Sequence, residues 1–212
     1  FTALAGGIVS ATQDNVTVIN TIATTSATAL HVANTEIGAA GLTFRSITAG
    51  TASYSAGIGV ILDNTGLGAG NGGLSVVGNG TANSGGNIRR KSGANGSTSS
   101  GIGIYLASTK APSFSRLQMS DFENAAIVGR EVAGFTLDNS LLFGAMGDAT
   151  GQLEGALVFG TPEPGGINGL TGSALIRDTQ IIGSAEHIGA IYNLAGSLTL
   201  LIDGASPLTC QL

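Results

Sequence analysis

Leu62-Asp63-Asn64-Thr65 is the stretch that decides the fold. Its form is an apolar residue, a spacer, an Asn or Asp, then a Thr or Ser. The same phrase returns at Val18-Ile19-Asn20-Thr21, Val32-Ala33-Asn34-Thr35, Leu137-Asp138-Asn139-Ser140 and Ile176-Arg177-Asp178-Thr179. A glycine follows soon after several copies, at Gly38, Gly68, Gly144 and Gly183. Recurrence on this scale means that one unit is stacked on itself. The candidate structural turn positions are Asn20, Asn34, Asn64, Asn79, Ser108, Asn139, Asp178 and Asn193, separated by 14, 30, 15, 29, 31, 39 and 15 residues. A unit near 30 residues with two similar turns fits these intervals.

Between the turns the chain alternates apolar and small polar residues with period two, bounded by Gly, Asn or Ser. Ile58-Gly59-Val60-Ile61-Leu62 and Ile102-Gly103-Ile104-Tyr105-Leu106 share one pattern; Gly134-Phe135-Thr136-Leu137 and Gly196-Ser197-Leu198-Thr199-Leu200 are further examples. No segment carries a long amphipathic helical stripe. The reading is an all-β chain, a right-handed parallel β-helix (β-solenoid) of three strands per coil and about seven coils, spanning residues 1–212 as one domain. With coils about 4.8 Å apart, seven make a rod of roughly 30–35 Å. A β-sandwich is the alternative, because periodicity alone does not separate parallel from antiparallel pairing. In the β-helix, a turn Asn adopts the left-handed conformation and its side chain bonds the backbone or the Asn one coil away.

Two regions break the register. Residues 78–101 are almost wholly Gly, Asn, Ser, Ala and Thr, and 144–172 carry Pro162 and Pro164 among several glycines. Both read as loop insertions, which a solenoid tolerates and which often form the binding face. The basic cluster Arg89-Arg90-Lys91 falls in the first, so it reads as a solvated loop tip, with contact to an anionic surface or polysaccharide as the functional reading.

Composition supports strand and turn chemistry. Only 10% of the residues are charged, 35 are Gly and Trp is absent, whereas soluble domains carry roughly 25% charged residues. A net charge of −5 argues against nucleic acid as a partner. No apolar run approaches the ~18 residues of a membrane span. The single cysteine, Cys210, excludes an internal disulfide framework but not export; it reads as inert or near a cut point. The chain begins at Phe1 with no signal-peptide pattern, as expected of a mature product or a segment of something longer.

With these phrases in view, the chain resembles the giant repetitive β-helix proteins of bacterial cell surfaces and autotransporter passengers. The likeness is carried by Phe135-Thr136-Leu137-Asp138-Asn139-Ser140-Leu141-Leu142-Phe143-Gly144, by Glu154-Gly155-Ala156-Leu157-Val158 and by the run from Leu170 to Gly183. It continues through Gly189-Ala190-Ile191-Tyr192-Asn193 to Leu200. It covers roughly residues 29–205. The resemblance implies a secreted or cell-surface protein, bacterial in source, acting as a stalk, surface-layer or filament-forming segment or as an adhesin. Its partners would be further segments of the same polypeptide or other copies stacked end to end, and cell-surface glycan.

The alternative function is a carbohydrate-active enzyme or glycan-binding module on the same scaffold. Glycoside hydrolysis needs paired carboxylates. The best pair is Asp121 with Glu123, near Arg116 or Arg130, and a surface ion pair is the simpler reading. The Asp-Asp pair and Gly-His-Gly of polygalacturonases are missing. His31 and His187 lack ligand spacing for a metal, and the Gly-rich run from Gly68 to Leu74 lacks the Asp of calcium-binding nonapeptides. No cofactor is expected. Asn15, Asn79 and Asn95 begin glycosylation triplets. Tyr54, Tyr105 and Tyr192 are the few aromatic platforms for a glycan.

Overall fold

The fold is taken from a computed structural model, which describes residues 1–184, 186–204 and 208–209. Three short strands follow one another in each turn of the chain. The first coil holds β1 (Thr2–Leu4), β2 (Ile8–Ala11) and β3 (Thr21–Thr24). The second holds β4 (Leu30–Ala33), β5 (Glu36–Phe44) and β6 (Ser46–Ala49), with β7 (Ser55–Ala56) extending the β6 side. The third has β8 (Ile58–Gly66), β9 (Leu74–Val76) and β10 (Gly86–Ser92), and the fourth β11 (Ile102–Lys110), β12 (Ser113–Ser115) and β13 (Leu117–Phe122). In the fifth, β14 (Ala125–Asp138) runs across two faces before β15 (Leu141–Met146). The sixth comprises β16 (Gly155–Phe159), β17 (Leu170–Arg177) and β18 (Gln180–Ile182), and the seventh β19 (His187–Ile191), β20 (Leu198–Asp203) and β21 (Leu208–Thr209).

Equivalent strands of successive coils pair in parallel. One face stacks β1, β4, β8, β11, β14, β16 and β19. A second stacks β2, β5, β9, β12, β14, β17 and β20. The third stacks β3, β6, β10, β13, β15, β18 and β21. Among the described residues the one antiparallel pairing outside these ladders is an isolated bridge, Gly38 with Asn71. The chain is therefore an all-β parallel β-helix, and the sandwich alternative falls.

The recurring phrase builds the corners. In the first face Ala33, Asp63, Ala107 and Arg130 stand in one column. The next residues, Asn34, Asn64, Ser108 and Glu131, have φ of 50°, 52°, 43° and 52°. That left-handed conformation suits Asn best among residues with a side chain. The column is also linked between coils: Asn64 Nδ2 donates to Asn34 Oδ1 at 2.9 Å, and Ser108 Oγ to Glu131 Oε2 at 2.8 Å. The residue after the corner turns inward. Thr35, Thr65 and Thr109 are buried, and the hydroxyls of Thr65 and Thr109 bond each other at 2.6 Å.

A second corner repeats the device. Arg116, Asn139 and Asp178 have φ of 57°, 49° and 47°. Buried Ser140 and Thr179 follow two of them, the Ser140 hydroxyl donating to Asp138 O at 2.9 Å and that of Thr179 to Arg177 O at 2.9 Å. Asn20, Asn79 and Asn193 make other turns. Asn20 Nδ2 donates to Thr12 O at 2.9 Å, Asn79 Oδ1 accepts from Thr81 N at 3.1 Å, and Asn193 Nδ2 donates to Leu170 O at 2.9 Å. At Asn79 the positive φ falls on its neighbours Gly78 (66°) and Gly80 (98°).

Inward residues stack into apolar columns. Val32, Leu62 and Leu106 form one, and Phe44, Val76, Phe114, Leu137 and Ile176 another. The core is narrow, so small residues are needed where one face crosses close to another. A Cβ added to Gly103 would lie 2.6 Å from Met119 Cε, and one added to Gly129 2.2 Å from Phe159 Cδ1. The Phe159 ring occupies the space that Gly129 leaves, edge-on to Phe135 at 5.0 Å between centroids.

The two excursions are less loop-like than their composition implies. Residues 78–101 contain strand β10, paired with β13 on one side and with β6 and β7 on the other. Residues 144–172 contain β16, all five of whose residues are buried. In both, tertiary pairing imposes strand geometry on sequence rich in turn formers.

Candidate functional site

The irregular segments flanking those strands converge on one flank of the rod. A cleft of about 170 Å³ opens there between residues 96–98 and 152–154. Its floor comes from the outward positions of the first face, Val128 and Val158, paired in register. Arg130 lies two residues beyond Val128 on β14, and Thr161 beyond the end of β16. Gln152, Ser97 and Thr98 complete the polar rim.

The walls are fixed by two buried side chains. Glu154 is 1% exposed. Its Oε1 accepts from Gly96 N at 2.8 Å, and its Oε2 from Asp148 N at 2.9 Å and Ala149 N at 3.1 Å. One carboxylate thus ties the loop after β10 to the loop before β16. Asn124, 2% exposed, donates from Nδ2 to Ser100 O at 2.8 Å and to Ala94 O at 3.1 Å. Its buried Oδ1 accepts from no described residue. Arg130 holds its guanidinium carbon 6.0 Å from the centroid of the Tyr105 ring, within cation–π range. Tyr105 pairs with Val128 across the coils, so aromatic ring, guanidinium and apolar floor are contiguous.

The basic cluster lies elsewhere and differs from the expected loop tip. Arg89, Arg90 and Lys91 belong to β10, because that segment is captured between two coils. Lys91 stands in register with Phe122 and is fully buried. Its Nζ donates to Ser26 O at 2.9 Å, to Ser55 Oγ at 3.1 Å and to Ala27 O at 3.5 Å. Burial without a counter-charge pushes its pKa below the ordinary 10.5. Arg90 donates to Ala52 O and lies 3.5 Å from Asp121. Arg89 is half-buried. Lys91 and Arg90 hold neighbouring turns onto the rod.

The carboxylate pair is similarly committed. Asp121 faces Arg90 rather than Arg116 or Arg130, and Glu123 Oε2 accepts from Gly93 N at 2.8 Å. Asp138 is paired with Arg177. Burial opposes its charge, but the Arg177 guanidinium at 2.9 Å prevails and holds its pKa below the ordinary 3.8. His31 is half-buried at an outward position beside Ile61. His187 Nε2 lies 3.6 Å from Glu186. Among the described residues no group of three or more His, Cys, Asp or Glu lies together as a metal site would require. No helix among the described residues is long and apolar enough to cross a membrane. Tyr54 is exposed and Tyr192 half-buried; Cys210 lies outside the described residues.

Sequence reasoning placed recognition in the two interruptions. It missed Arg130 as a flank residue beside Tyr105, and it missed Glu154 as the tie between the loops. A lone Glu among glycines gives no pattern, although burial of a carboxylate usually marks a set of backbone donors around it. No protein-family model matches this chain, and neither curated proteins nor solved structures give a match.

Proposed function

We propose that this chain is a structural and adhesive β-solenoid of the bacterial cell surface, a stalk, surface-layer or filament segment that stacks end to end. The observation that supports it most is the state of the two ends. β1, β2 and β3 each have a strand partner on one side only, and so do β19, β20 and β21 among the described residues. Among the described residues the apolar core opens at both ends as well. A cleft of about 430 Å³ at the first coil is lined by Val9, Ala11, Ile22, Leu42 and Phe44. One of about 390 Å³ at the last coil is lined by Leu157, Ile176, Ile188, Leu200 and Ile202.

Unpaired parallel edges over apolar surface are templates for another strand. Only a parallel coil of like width satisfies all three edges at once, and a further coil of the same repeat has that shape. The resemblance to repetitive cell-surface β-helix proteins points the same way, with secretion and further segments of such a polypeptide as partners. Sedimentation velocity over a wide concentration range, with electron microscopy of the associated fraction, tests this. Linear particles of coil width that grow with concentration are expected; a chain that stays monomeric throughout refutes the reading.

A further inference from the structure

We infer that the flank cleft is a binding site for an acidic saccharide unit, one pyranose-sized ring bearing a carboxylate. This goes beyond end-to-end stacking, because the cleft lies on the side of coils four to six, away from both ends.

Three features carry it. The first is Arg130. The residue is half-buried, its guanidinium carbon lies 6.0 Å from the centroid of the Tyr105 ring, and the guanidinium donates no hydrogen bond to any described residue. A guanidinium within cation–π range of a ring, with its donor fork unspent, suits bidentate capture of a carboxylate. The second is the size and lining of the cleft. About 170 Å³ accommodates one sugar ring and not an extended peptide. Val128 and Val158 offer the apolar floor that the C–H face of such a ring requires, while Gln152 and Thr161 offer the amide and hydroxyl partners its hydroxyls require. The third is preorganisation. The loops on either side are held by the three backbone hydrogen bonds to Glu154, so little ordering cost attends binding. Those bonds also engage both oxygens of the Glu154 carboxylate with backbone N–H groups of the walls.

Calorimetric and NMR titration of the full chain with glucuronate and galacturonate tests this, with glucose and acetate as the two controls. Saturable binding of a uronate is expected, at least tenfold weaker for glucose, which lacks the carboxylate, and for acetate, which lacks the ring. Amide shifts should centre on Val128, Val158 and Thr161. Arg130→Gln should weaken the uronate at least tenfold, with Arg130→Lys between it and the parent. Equal affinity for acetate would make this a plain anion site and overturn the saccharide assignment. Absence of uronate binding to the folded parent chain, or shifts centred elsewhere, would overturn the site. Sedimentation of the same samples reports stacking separately, so failure of one reading leaves the other intact.

Discussion

Lys91 shows how far a residue's role depends on where the coil carries it. Its ammonium lies in the core column with Phe122, satisfied by two carbonyls and a hydroxyl and by no carboxylate. Its folded pKa is below the ordinary 10.5. In the window between those values the unfolded chain holds a proton that the folded chain lacks, so this group's contribution to stability rises with pH up to about 10.5. Lys91→Met keeps the volume and removes the titration. The stability of the parent relative to this variant should climb as pH rises toward 10.5 in denaturant curves at several pH values; a difference that stays constant over that range would show that burial does not depress the Lys91 pKa. Gly129 is the steric counterpart. Gly129→Ala should destabilise by about 1–3 kcal/mol through overpacking against Phe159. Combining it with Phe159→Leu should recover part of that loss, as coupled neighbours do.

At the scale of elements, strand and loop alternate in a way that the corners explain. The phrases at Asn34-Thr35, Asn64-Thr65 and Asn139-Ser140 each supply a left-handed residue to turn the chain and a hydroxyl to occupy the inside of the turn. The loops bounding the cleft have no such device and depend on Glu154 and Asn124 instead. Glu154→Gln replaces one acceptor oxygen with a donor facing backbone N–H groups, a loss of about 1–3 kcal/mol. Hydrogen exchange should accelerate at Gly96, Asp148 and Ala149 while β14 stays protected. Equal acceleration in β14 would mean that Glu154 supports the whole rod and not the loops alone.

For the whole molecule, stacking pairs both edges of each middle coil and leaves the end coils with one unpaired edge each among the described residues. Ile202 pairs with Ile176 and yet is 53% exposed, since no further coil covers it among the described residues. Ile202→Asp places a charge on that open core end. It should abolish concentration-dependent association while leaving the far-ultraviolet circular dichroism of the β-helix intact; association undiminished in the folded variant would move the contact away from this end.

The sequence by itself determined the coil. Asn34-Thr35 and Asn64-Thr65 are legible because corner geometry is local: a left-handed residue and an inward hydroxyl need only their own neighbours. Spacing near 30 residues then implies stacking, since such a unit cannot bury its apolar face alone. Tertiary structure alone decided the fate of Arg89-Arg90-Lys91 and the existence of the cleft. Lys91 is buried because Ser26, Ala27 and Ser55, 36 to 65 residues away in the chain, close over it. The cleft exists because Gly96 and Glu154, 58 residues apart, are brought together by the coil between them. Those partners carry no periodic mark, and only the stacking of one coil on the next brings them into contact.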